Sequence, residues 1–143
     1  MTAKEILAML YKDIHSVAVG TIDEKGHPFT AFMDIMRADE TGIYVSTSRG
    51  KDLYRYLNSH DHVSLCGMRG GDFFHSQMIT FNGKIENIGP GLWEELLADN
   101  AYLYRIFPKG TDTEHNVFRI HCGKGDFQDF SVMPFVKVTY QIN

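Results

Sequence analysis

Residues 42–65 read GIYVSTSRGKDLYRYLNSHDHVSL. The stretch has the order strand, loop, helix, strand. Ile43–Thr47 is rich in β-branched and aromatic residues, which predicts a strand. Asp52–His60 places Leu53, Tyr56 and Leu57 on one face, which predicts a short amphipathic helix. His62–Met68 then returns to strand. Between the first strand and the helix, Ser46, Thr47, Ser48, Arg49 and Lys51 lie within six residues. These residues suit a phosphate: the cations supply charge, the hydroxyls donate hydrogen bonds, and a helix start offers free backbone N–H groups. Gly50 allows a tight turn beside the anion. The same residues also suit an ordinary solvated turn in which Ser48 caps the helix.

Upstream, residues 2–13 predict a helix with Ile6, Leu7, Met9 and Leu10 on one face and a capping box from Thr2 and Glu5. Ser16–Asp23 predicts a strand. Glu24-Lys25-Gly26-His27-Pro28 is turn chemistry that returns the chain antiparallel into a strand at Phe29–Arg37. Ala38–Gly42 is a second turn, so the three strands around it read as a meander. Downstream, Gln77–Ile88 predicts a long strand with a bulge or bend at Asn82-Gly83. Leu92–Asp99 and Ala101–Phe107 predict short helices, followed by a polar loop from Pro108 through His115. Strands are expected at Val117–Cys122 and near Phe135–Ile142, separated by a variable piece, GKGDFQDFS, that puts Lys124 in a turn. Six or seven short antiparallel strands with peripheral helices predict a mainly β barrel or sandwich. A small barrel fills its interior with side chains, which leaves a large ligand to an outer groove or a subunit interface.

Composition narrows the function classes. The 143 residues suit one domain over 1–143, and 43% hydrophobic and 22% charged residues suit a globular fold. The net charge of −4 argues against nucleic acid or an anionic membrane surface as partner. No apolar run has the roughly 20 residues of a membrane helix, and the N-terminus lacks signal-peptide organisation, so a cytoplasmic location is expected. In that setting Cys66 and Cys122 are expected reduced and buried. No metal site is expected: His60 and His62 lack a third ligand at a recognisable spacing, and His121 and Cys122, adjacent in a strand, should point to opposite faces. Nucleophile-elbow, dinucleotide-binding and P-loop motifs are absent from the sequence. Arg37 adds a cation near the phosphate-ready loop. Gln77 both donates and accepts, which suits the mixed edge of a flavin ring, and Met33–Met36 offers extended backbone for such a ring.

In combination these features resemble the flavin-binding split barrel of the pyridoxamine 5′-phosphate oxidase-like superfamily. The resemblance runs from the first helix through about Ile88 and more loosely to the C-terminus. It rests on the Asp23-Glu24-Lys25-Gly26-His27-Pro28 turn, the Phe32–Arg37 strand, Ser46-Thr47-Ser48-Arg49-Gly50-Lys51 before a helix, Asp61-His62-Val63-Ser64-Leu65, and Phe81–Glu86. It implies a six- to seven-stranded antiparallel split β-barrel and an FMN-dependent homodimer with the flavin between subunits. Carried over by residue, Ser48, Arg49 and Lys51 would hold the FMN phosphate, and Ser46 and Thr47 the ribityl chain or phosphate. Met33, Asp34, Ile35 and Met36 would offer backbone to the ring, Arg37 would support its polar edge, and Gln77 would reach the isoalloxazine. The tail after Arg119 contains no Trp and no Arg, whereas true pyridoxamine phosphate oxidases carry a Trp and Arg set there. The compact chain instead looks like small, general members related to nitroimidazole-resistance proteins. The implied function is an FMN-binding oxidoreductase acting on a small molecule or taking electrons from a small donor. The alternatives are a non-catalytic flavin- or haem-binding protein, with His115 and His121 as haem candidates, and a deazaflavin-dependent reductase. No catalytic residue is assignable from the sequence.

Overall fold

The computed structural model describes residues 1–109 and 114–143. Among the described residues eight antiparallel strands form one curled sheet: β1 Ser16–Ile22, β2 Pro28–Asp34, β3 Arg37–Asp39, β4 Gly42–Ser48, β5 His62–Arg69, β6 Gln77–Asn87, β7 His115–Asp129 and β8 Val136–Ile142. Their order is β2-β1-β5-β6-β7-β4-β3, with β8 also on β7. Among the described residues three α-helices flank the sheet: α1 Ala3–Met9, α2 Asp52–Ser59 and α3 Trp93–Asp99. This is a mainly β split barrel, as expected.

Local chemistry accounts for the elements. Thr2 and Glu5 form the predicted capping box of α1, each accepting from the other's backbone N–H at 3.2 Å. The helix stops at Met9, and a π-helical turn over Leu10–Ile14 carries the chain to His15, whose positive φ redirects it into β1. At the β1–β2 turn the Asp23 carboxylate accepts from the N–H groups of Lys25 and His27. Gly26 supplies a φ of 81° there. The N–H of His27 is the main reason the Asp23 carboxyl stays below the usual range.

The barrel interior is filled. Ile6, Leu7 and Leu10 pack on Val17, Val19, Ile43, Val45, Ile79, Phe81, Phe118 and Ile120. Fully buried rings such as Phe81 and Phe118 each contribute about 1.5–3 kcal/mol relative to exposure. A smaller cluster of Met36, Tyr44, Trp93, Leu96, Leu97 and Val117 holds α3 against β4 and β7.

Four expectations are corrected. The first three strands are not a meander. The Phe29–Arg37 run breaks after Asp34, where the Ile35 N–H bonds the His15 carbonyl and the Met36 N–H bonds the Tyr44 carbonyl. The chain thus leaves β1 and joins β4, so the two hairpins end up at opposite ends of the strand order. The GKGDFQDFS piece is largely strand: it forms the second half of β7 and pairs with both β6 and β8, which places Lys124 in a ladder rather than a turn. Both cysteines are exposed rather than buried, because register puts Cys66 on the outward-facing set of β5 with His62, Ser64 and Met68. His121 and Cys122 do not point apart. A φ of 49° at Cys122 interrupts the alternation, and the two side chains meet at 3.0 Å. The predicted irregularity at Asn82-Gly83 is present as a register shift in β6. The expected polar loop over 108–115 lies partly outside the described residues.

Candidate functional site

A cavity of about 270 Å³ opens where the ends of β2 and β4 meet the start of α2. Met33, Asp34 and Met36 line it from the β2 side, Ser46 and Thr47 from β4, and Lys51 from the residue that precedes α2. Six of the residues nominated from sequence therefore share one cavity.

Lys51 is exposed, and among the described residues its ammonium makes no ion pair or hydrogen bond. It occupies the N-cap of α2, where no side chain bonds the first N–H groups. Ser48 does not cap the helix. Its hydroxyl lies 3.4 Å from a Glu114 carboxylate oxygen and accepts from the Gly50 N–H. Asp52, acidic at the helix start, is drawn to Arg55 at 2.8 Å. A cation and uncapped backbone donors thus adjoin the cavity, which is the electrostatic requirement of an anion subsite.

The back of the cavity is aromatic. Trp93 and His115 stack with ring centroids 4.3 Å apart and planes 8° from parallel. Phe107 meets both edge-on. Trp93 and His115 are 3% and 8% exposed, so the wall is built into the core. The buried indole Nε1–H of Trp93 has no acceptor among the described residues, and an orphaned donor in a cavity wall suits a ligand with acceptor atoms. Trp93, Leu103 and Phe107 were not nominated from sequence, and His115 entered only as a haem candidate. Nothing in residues 92–107 distinguishes a cavity wall from ordinary core; only the docking of α3 decides it.

Asp34 is fixed as a rim. Its carboxylate accepts from Ser16 Oγ and from the Tyr102 hydroxyl, both at 2.6 Å. The Tyr102 oxygen also lies 2.5 Å from His15 Nε2, while His15 Nδ1 donates to the Tyr11 carbonyl at 2.8 Å. Burial and then the Asp34 hydrogen bond push the Tyr102 hydroxyl above the usual tyrosine range.

Five nominated residues lie outside this lining. Ile35 is fully buried in the main core. Arg37 turns to α3, pairing with Asp99 at 3.1 Å and Glu95 at 3.4 Å. Burial lowers its pKa, but these two carboxylates outweigh that and raise it. Arg37 therefore anchors the wall rather than the opening. Ser48 ends β4 and Arg49 follows it in the loop before Lys51, with Arg49 Nη1 donating to Asn116 at 3.0 Å. Gln77 accepts from Arg69 Nε and donates to Asp129 at 3.1 Å. Of the backbone between Met33 and Met36, the Ile35 N–H is engaged by the His15 carbonyl, the Met36 N–H by the Tyr44 carbonyl and the Met36 carbonyl by Asn100. β2 ends the strand order, so its outer edge is not paired within the sheet.

Comparison with known proteins gives the family and the fold. A family model described as pyridoxamine 5′-phosphate oxidase matches residues 3–127. No curated protein matches the chain in sequence. Among solved structures, a NimC/NimA family protein from Clostridium acetobutylicum superposes with a TM-score of 0.74 at 18% identity, covering 95% of this chain and 90% of that one. The General Stress Protein 26 from Bacillus anthracis gives 0.69 at 16% identity, covering 96% and 100%. The haem storage protein HutZ from Vibrio cholerae gives 0.64 at 16% identity, covering 84% and 89%. At these identities each likeness is one of fold.

Proposed function

This chain belongs to the pyridoxamine 5′-phosphate oxidase family, and from that premise we propose that it is an FMN-binding oxidoreductase acting on a small molecule, with the flavin at a homodimer interface. The observation that carries the proposal is the joining of an anion subsite to an aromatic-backed cavity: Lys51 and the start of α2 on one side, Trp93 and His115 on the other. In this reading Lys51 holds the phosphate with Ser48 and Arg49 flanking it, and Ser46 and Thr47 contact the ribityl chain. Met33 and Asp34 present the outer edge of β2 to the ring. When bound, the flavin supplies hydride or electron transfer, and the chain binds, orients and shields it.

The size of the cavity supports the dimer. Small-ligand sites commonly measure about 300–1,000 Å³, and about 270 Å³ in one subunit leaves part of an FMN uncovered. Gln77 does not line this cavity, so its proposed contact with the ring requires the second subunit. Pyridoxamine 5′-phosphate is not the proposed substrate. Beyond Arg119 the remaining cations are Lys124 and Lys137; Lys137 pairs with Asp126 at 3.7 Å, and neither offers the bidentate grip of Arg on phosphate.

One observation favours a second reading, haem binding: His115 lines the cavity. His121 does not, which removes one of the two haem candidates from this site. The absorbance spectrum of the purified, cofactor-loaded protein separates the readings. The two-banded flavin spectrum supports the proposal, and a single intense Soret band supports haem in its place. Failure of FMN to bind at micromolar concentration overturns the flavin reading.

A further inference from the structure

A second group of reactive side chains lies away from this site. Cys122 Sγ is 3.0 Å from His121 Nδ1. The other imidazole nitrogen, Nε2, is 3.6 Å from Glu86 Oε1, an oxygen that accepts a hydrogen bond from Arg119 Nη1 at 3.0 Å. Two neighbours in a regular strand cannot meet in this way. They meet because Cys122 adopts a φ of 49°, uncommon for a residue with a side chain. It does so where β7 changes partner: pairing with β4 ends at Ile120 and pairing with β8 begins at Gly123. Opposite, β6 shifts register between Asn82 and Lys84, and the Asn82 carbonyl occupies the space that a Cβ on Gly123 would need. The backbone is thus shaped to bring a thiol, a base and a carboxylate into sequence, the arrangement of an activated nucleophile.

An independent feature points to a ligand beside it. Cys122 lines a broad open cavity of about 1140 Å³, with Thr21, His62, Asn82, Lys124 and Gln141 among its walls. Thr21 is only 6% exposed, and its hydroxyl has no hydrogen-bond partner among the described residues. The lining is mostly apolar and neutral, and Lys124, two residues from the thiol, brings a cation to it. This cavity shares no lining residue with the one described above.

We propose that Cys122 is the nucleophile of a second site that takes small anionic disulfides and forms a mixed disulfide with them. His121 Nδ1 takes the thiol proton as Cys122 Sγ attacks one sulfur of the ligand. The bond from Cys122 to the ligand forms as the ligand's own S–S bond breaks. The departing thiolate then takes the proton back from His121. Cys122 is oxidised, the released half of the ligand is reduced, and no further oxidant is required. Glu86, held by Arg119, offers its charge to the imidazolium that forms. Lys124 selects ligands with carboxylates.

Cys66 is an internal control, because it is also exposed but makes no hydrogen bond to an imidazole. The test treats the full chain with oxidised glutathione near neutral pH and follows the adduct at each cysteine by peptide mass spectrometry. Base assistance commonly gives 10²–10⁴-fold, and at this exposed position Cys122 should react at least about tenfold faster than Cys66. His121→Gln should bring the two rates together while the Cys66 rate, a check on folding, stays as it was. Glu86→Gln provides a second, milder perturbation in the same direction. Lys124→Ala should slow the adduct with oxidised glutathione and leave that with neutral hydroxyethyl disulfide unchanged. Equal rates at Cys66 and Cys122 in the unaltered protein, or an undiminished Cys122 rate in His121→Gln, overturn the proposal. Equal effects of Lys124→Ala on both disulfides overturn the preference for anions. None of these measurements requires flavin.

Discussion

Trp93 lies flat against His115, with centroids 4.3 Å apart and the planes 8° from parallel. Trp93 is the single tryptophan of the chain, so its fluorescence reports on the cavity wall alone. Titration with FMN should quench that emission in a saturable manner. Quenching that rises linearly with added FMN, as from absorption of light by free flavin, counts against this cavity as the binding site.

Lys51→Ala should weaken FMN by about 1.5–3 kcal/mol, roughly 10- to 150-fold, the scale of a charge-assisted contact. Riboflavin has no phosphate and should bind nearly as before. Lys51 is exposed at the N-cap and makes no side-chain bond among the described residues, so thermal stability should change little. Comparing the two dissociation constants by calorimetry settles its place: equal losses put Lys51 away from the phosphate.

The FMN-loaded protein should sediment as a homodimer. Phe32 is 82% exposed at the mouth of the cavity, and Phe73, Phe74, Phe135 and Met133 are each more than half exposed. Rings run from Phe74 through Phe73 and Phe130 to Phe135 at centroid distances of 4.6–5.3 Å. A contiguous apolar surface of this kind is uncommon on a monomer. Sedimentation of a stable 16.3 kDa species with FMN bound would contradict it.

Stability should fall at alkaline pH, in part through Tyr102. Its proton is held more tightly in the folded chain than in the unfolded one, first by burial and then by Asp34. As pH rises through the ordinary tyrosine value near 10, the unfolded chain releases that proton first and gains relative to the folded state. The contribution is fully present below that pH and declines above it. Denaturant midpoints measured between pH 8 and 11 should therefore drop less steeply in Tyr102→Phe than in the unaltered protein. Parallel slopes would mean that Tyr102 is solvated.

Most of the elements, and a loop whose residues suit an anion, were legible in the amino-acid sequence alone. Strand periodicity, the Asp23–Pro28 turn, the capping box and the Ser46–Lys51 loop act over a few residues, so their physics is written in neighbouring positions. Their order pointed to a β barrel or sandwich, and the family resemblance they carry implied the split barrel. Tertiary structure decided what depends on residues far apart in the chain. The break after Asp34 is set by the carbonyls of His15 and Tyr44, which makes two separated hairpins of an apparent meander. Arg37 was expected beside the polar edge of a flavin, yet carboxylates some sixty residues away on α3 claim it. The Trp93–His115 wall exists only because α3 docks on β7. Cys122 and His121 were expected on opposite faces because strand alternation is the local default. They meet because a register shift in β6 and the change of partner along β7 fall at the same point, and pairing between distant strands cannot be read from either strand alone.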